Sequence, residues 1–112
     1  MKIYHNPRCG KSRATLALIR EKGIDPEIIL YLEDTPDEKH LKRILSYLKI
    51  SAEDLIRKGE AIYKSDFKGK KMTEAQWIKA MVKYPKLIER PIVVKGRKAI
   101  LGRPPENVLE LL

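Results

Sequence analysis

Two short apolar runs, at residues 2–5 and 28–32, bracket one helix-length segment, and this spacing constrains the fold more than any other feature of the chain. The first run predicts a short buried strand that passes into the polar loop Asn6-Pro7-Arg8-Cys9-Gly10. A helix is expected from Lys11 to Lys22, with Gly23 as its C-terminal stop. Ile28, Ile29, Leu30 and Tyr31 then form a β-rich run, short enough to predict a strand buried on both faces. Strand, helix and strand in so short a span make a right-handed βαβ crossover the expected connection.

The rest of the chain extends this unit. Thr35-Pro36-Asp37-Glu38 predicts a helix start, with Thr35 as cap and Glu38 completing a capping box. Leu41, Ile44, Leu45 and Leu48 share one face of that helix. Ser51 to Asp54 opens a further short helix, and residues 64–71 read as a basic, exposed loop. Thr73 caps another helix, on which Trp77, Ala80, Met81 and Tyr84 share a face until Pro85 closes it. Pro91 to Val94 and Lys98 to Leu101 read as a hairpin turning at Lys95-Gly96-Arg97, and a last helix starts at Pro104-Pro105. A parallel pair followed by a hairpin predicts an α/β fold: a thioredoxin-like, mixed four-stranded sheet with flanking helices and a helical insertion. With 112 residues the chain is expected to be a single domain, 1–112.

Charge and cysteine usage narrow the function. Lys and Arg outnumber Asp and Glu by 24 to 15, a net charge of +9 that favours an anionic partner. The positive charge is spread along the chain without a recognition-helix pattern, so direct binding of nucleic acid is not expected. The N-terminal segment lacks the apolar stretch of a secretion signal and no window reaches membrane-spanning length, so a cytoplasmic protein without a membrane partner is expected. Cys9 is the only cysteine, which excludes an internal disulfide and a cysteine-based metal cage. His5 and His40 add no ligand spacing, so no metal is expected. Any redox cycle through Cys9 must be completed by a thiol from another molecule.

A lone cysteine is commonly a small, inert hydrophobe. Cys9 instead lies between a strand end and a helix start, where backbone N–H groups and partial positive charge stabilise a thiolate and attract oxyanions. Arg8, Lys11 and Arg13 add charge nearby, and His5 is placed to donate a hydrogen bond to the thiolate. A phosphatase loop would need arginine where Thr15 stands, and a dithiol motif would need cysteine where Ser12 stands. Arg57, Arg90 and Arg103 each occur close to apolar residues and near an element end and are candidate forks for a tetrahedral oxyanion; the alternative is that they are surface arginines. His40 is expected on the solvated side of its helix.

The blocks Ile3-Tyr4-His5-Asn6-Pro7-Arg8-Cys9-Gly10-Lys11-Ser12-Arg13, Leu55-Ile56-Arg57-Lys58, Glu89-Arg90-Pro91-Ile92-Val93-Val94 and Gly102-Arg103-Pro104-Pro105-Glu106 resemble, in family order, the ArsC-type glutaredoxin-linked arsenate reductases. The resemblance implies Cys9 as nucleophile and His5 as the histidine that helps hold its thiolate. It implies Arg57, Arg90 and Arg103 as the oxyanion-binding arginines, and Ser12 and Arg13 as residues shaping the loop. Pro91 falls on the family's cis-proline. Glutathione as co-substrate, glutaredoxin as partner and no bound cofactor are implied as well, and a monomer is expected. Two other functions stay open at this point. One is a Spx-like regulator that binds RNA polymerase, although Ser12 removes the paired cysteines of its switch. The other is a glutathione-dependent thiol enzyme with a different substrate.

Overall fold

The computed structural model describes residues 1–112 and divides into two compact units. One comprises Met1–Asp34 and Arg90–Leu112, the other Thr35–Glu89.

The first unit carries the sheet. Strand β1 (Lys2–Tyr4) leads through the Cys9 loop into helix α1 (Gly10–Glu21), and β2 (Glu27–Ile29) returns parallel to β1. Gly23, at φ +76°, takes the left-handed conformation that ends the helix. Strands β3 (Ile92–Lys95) and β4 (Lys98–Leu101) form the expected hairpin, and β3 pairs antiparallel with β1. The resulting order, β2-β1-β3-β4, is the mixed four-stranded thioredoxin-like sheet. Ile3 and Val93 from the two central strands meet Leu16 and Ile19 of α1 and Val108 and Leu111 of the C-terminal segment in one apolar cluster. That segment, Pro105–Leu111, is a 3₁₀ helix rather than an α-helix. Its exposed Leu109 lies outside the buried set.

Strand β2 departs from expectation. It pairs only with β1 and so is an edge strand, and Ile28, Leu30 and Leu32 are each more than a third exposed. The chain leaves the ladder after Ile29, and Tyr31 alone turns fully inward at 1% exposure. An apolar run reports strand propensity but does not say how many neighbours the strand has.

In the second unit, α2 (Glu38–Leu48) buries Leu41, Ile44 and Leu45 as the periodicity required. Its cap is Asp37, not Thr35: the Asp37 carboxylate accepts from the His40 N–H at 2.7 Å. A charged cap also suits the positive end of a helix. A 3₁₀ turn follows at Glu53–Leu55. The basic stretch opens with a π-helical turn at Tyr63–Phe67 instead of a plain loop, and Phe67 is half-buried. Helix α3 (Glu74–Lys83) starts with the full capping box of Thr73 and Gln76. Its Trp77, Ala80 and Met81 are buried, and Pro85 opens a short 3₁₀ turn behind it.

Candidate active site

The loop between β1 and α1 is folded by its own polar groups. The Asn6 side-chain oxygen accepts from the Arg8 N–H at 3.0 Å, and the Asn6 carbonyl accepts from the Cys9 N–H at 3.0 Å. These bonds turn the chain so that Cys9 becomes the N-cap residue of α1, with its carbonyl accepting from the Arg13 N–H. Ser12 is fully buried beneath the loop. Its hydroxyl accepts from the Asn6 N–H at 3.0 Å and lies 2.6 Å from Nδ1 of His5.

Cys9 is half-buried. Burial pushes its thiol up, but the Ser12 N–H, the Arg90 side chain and the Lys11 N–H outweigh it, and the pKa falls below the ordinary 9.0. The sulfur closes no full capping bond, so the two N–H groups act on it as the field of a helix start. Arg103 Nη1 lies 4.0 Å from Sγ. The same Nη1 donates to the Arg90 carbonyl at 3.2 Å, which ties the two arginines into one arrangement.

That arrangement depends on close packing behind it. The Gly102 N–H donates to the Pro91 carbonyl at 2.9 Å. The Thr15 hydroxyl donates to the Lys11 carbonyl at 2.8 Å and reaches the Gly102 carbonyl at 3.4 Å. A Cβ on Gly102 would collide with Thr15 Oγ1 and come within 2.7 Å of Pro91 Cγ, so only glycine fits there. Both Arg90–Pro91 and Arg103–Pro104 are cis peptide bonds; the sequence resemblance pointed to the first and not to the second.

The residues singled out in the sequence are thus distributed unevenly. Cys9, Arg90, Arg103 and Pro91 come together in the first unit, with Ser12 and His5 behind the loop. His5 Nδ1 pairs with the Ser12 hydroxyl rather than with the thiolate. Its pKa is lowered from 6.5 by burial and by the charges of Arg20 and Arg13, which keeps the imidazole neutral at neutral pH. Arg13 is exposed and donates to the Pro7 carbonyl at 2.9 Å. Arg8 and Lys11 are exposed too, and the positive side chain that lowers the Cys9 pKa comes from Arg90, far away in sequence. Arg57 lies in the second unit, where its Nε is 3.3 Å from Glu60 and its Nη1 is 3.4 Å from Glu89. Asn6, Thr15 and Gly102 escaped the sequence reading. An Asn-Pro turn ahead of a cysteine was the visible signal for the first, whereas the Thr15–Gly102 contact spans 87 residues and left none. His, Cys, Asp and Glu side chains nowhere gather in a group of three that could hold a metal.

The structure thus combines a thioredoxin-like mixed sheet with a lowered-pKa cysteine at a helix start and two arginine side chains beside it. The ArsC family model matches residues 4–111, and the chain belongs to the ArsC family. The uncharacterized protein YfgD of Escherichia coli K12 is 50% identical, over 100% of this chain and 96% of its own. The arsenate reductase of Haemophilus influenzae is 46% identical, over 98% of this chain and 97% of its own. The solved structure of the arsenate reductase from Vibrio cholerae superposes with a TM-score of 0.94 at 45% identity, covering 100% of this chain and 98% of that one.

Proposed function

We propose that the protein is an arsenate reductase in which Cys9 is the nucleophile and arsenate is reduced to arsenite at the expense of glutathione. The observation that carries this reading is the lowered pKa of Cys9 at the start of α1, next to Arg90 and Arg103. Relatives named arsenate reductase at 40–46% identity over nearly the whole chain support it.

In the proposed reaction the Cys9 thiolate attacks arsenic(V), an S–As bond forms and an arsenate oxygen leaves as water after protonation. Arg90 and Arg103 offset the negative charge of the oxyanion, because guanidinium forks match its tetrahedral oxygens. Glutathione then displaces a second oxygen, so that arsenic carries two sulfurs. Arsenic(III) departs as arsenite when the two sulfurs join in a Cys9–glutathione disulfide, which accounts for the two electrons. A glutaredoxin thiol takes the glutathionyl group and returns Cys9 to the thiolate. The lack of a second cysteine supports an external thiol at this step.

Several parts of this reading rest on the family likeness. Arg57 is proposed as a third oxyanion-binding arginine, Ser12 and Arg13 as residues that shape the loop, and Pro91 as the cis-proline facing Cys9. His5 is proposed to hold the thiolate geometry through Ser12. The reaction needs no bound cofactor, and the chain is proposed to act as one domain, as a monomer, in the cytoplasm. No helix is long and apolar enough to cross a membrane.

The test is arsenite production from arsenate with glutathione and a glutaredoxin. Wild type should turn over and Cys9→Ser should lose all activity while keeping its circular dichroism spectrum. If Cys9 forms a glutathione mixed disulfide but no arsenite appears, the thiol chemistry stands and arsenate is the wrong substrate.

A further inference from the structure

The basic stretch that the reaction leaves unused is organised in the structure. An open groove of about 620 Å³ lies in the second unit between the π-helical turn, the irregular residues 68–73 after it and one side of α3. Phe67, Ala80 and Tyr84 contribute its apolar lining. The Phe67 ring meets Tyr84 edge-on at 6.1 Å and Trp77 at 6.0 Å, and Tyr63 stacks on Trp77 at 6.5 Å. Trp77 itself is 3% exposed, so the aromatic cluster is anchored in the core and holds the lining in place.

Four exposed lysines, Lys70, Lys71, Lys79 and Lys83, ring this apolar lining. The only carboxylate in the ring is Asp66, which is hydrogen-bonded to Ser65 Oγ at 2.8 Å. Two of the lysines fold over aromatic rings: Lys70 Nζ lies 5.8 Å from the centroid of Phe67 and Lys83 Nζ 5.2 Å from that of Tyr84. Their ammonium groups therefore sit over the groove at defined points, through cation–π attraction.

We propose that this groove binds an acidic segment of a partner protein, one that carries an aromatic or aliphatic side chain between carboxylates. The apolar side chain enters between Phe67, Ala80 and Tyr84 while the carboxylates meet the lysine rim. Charge complementarity sets the class of partner, since four ammonium groups face one carboxylate. A protein segment fits better than a nucleic acid. The Phe67 ring already has Lys70 over it and Tyr84 and Trp77 beside it, whereas a base needs an open ring face to stack on. Carboxylates on a flexible chain also suit separate ammonium groups, which are point charges rather than planar forks.

The groove lies over Trp77, the only tryptophan, and this gives a direct readout. A short synthetic peptide with a phenylalanine flanked by aspartates is titrated into the full-length protein while tryptophan fluorescence is followed. Saturable binding that weakens as salt rises is expected. The same peptide with asparagines for aspartates should bind at least about tenfold more weakly, as should the Lys70→Glu/Lys83→Glu variant with the acidic peptide. Phe67→Ala should weaken binding too and, because it leaves the lysines in place, should keep the salt dependence. Arsenite production by the lysine variant, measured alongside, should match wild type and so shows that the variant is folded. A flat wild-type titration, equal affinity for the neutral peptide, or unchanged affinity in the lysine variant overturns the proposal. Tighter binding of a single-stranded oligonucleotide than of the acidic peptide overturns it in favour of a nucleic-acid partner.

Discussion

At Cys9 two opposing effects act on one proton. Burial favours the neutral thiol, while the Ser12 and Lys11 N–H groups and the Arg90 guanidinium favour the thiolate, and the second set wins. Arg90 is itself 9% exposed, so water screens its charge less than it would screen that of a surface arginine. The rate of Cys9 alkylation by iodoacetamide, measured against pH, should therefore reach half its maximum below pH 9.0. Arg90→Ala should move that midpoint upward and cut arsenate turnover by about 10²–10³-fold, the loss typical when one oxyanion-binding donor is removed. Lys11→Ala should leave the midpoint in place, because Lys11 acts through its backbone N–H and not its ammonium group. A midpoint shifted by Lys11→Ala but not by Arg90→Ala would assign the activation to the local basic side chains after all.

At the scale of elements, local signals were readable and distant ones were not. The strand-to-helix loop, the Gly23 stop, the Thr73 capping box and the Lys95-Gly96-Arg97 turn are written in neighbouring residues, and each forms where expected. The sequence reading assigns the cap to Thr35 with Glu38 as its box partner, but Asp37 is an equally good cap, and the structure places it at the helix end, where its carboxylate meets the helix field. The edge position of β2 follows from strand order, a tertiary fact that a run of isoleucines does not encode. The site follows the same division. Cys9 and its loop were legible from residues 5–13, but the Thr15–Gly102–Pro91 contact that backs the arginines was not, because its members lie far apart in the chain, on α1, just before β3 and just after β4. That contact makes β4 and the residues after it a rigid mount for Arg103. Gly102→Ala should destabilise the fold by about 1–3 kcal/mol through overpacking. The companion variant Thr15→Ala/Gly102→Ala, which removes the colliding hydroxyl, should recover part of that loss in urea denaturation. Equal stability of the single and double variants would mean that Thr15 is not the residue that forbids a side chain at 102.

Over the whole molecule, the +9 net charge makes acid unfavourable, because each added proton increases self-repulsion. His5 concentrates this effect at one buried point. It is 6% exposed, its pKa is lowered by burial first and then by Arg20 and Arg13, and its Nδ1 is bonded to Ser12. The unfolded chain takes up this proton near pH 6.5, whereas the folded chain resists it to lower pH. Between those two values the unfolded state holds more protons, so stability rises with pH. The contribution of His5 is fully present above pH 6.5 and is lost as pH falls through the folded value. The urea midpoint of wild type should thus decline below pH 6.5, and that of His5→Gln should decline less over the same interval. The other titrating groups are shared by both proteins and cancel in the difference. Parallel curves for the two proteins would show that His5 takes its proton equally well folded and unfolded. In that case burial and the charges of Arg20 and Arg13 would not act on the imidazole, and the pH dependence of stability would have to come from other groups.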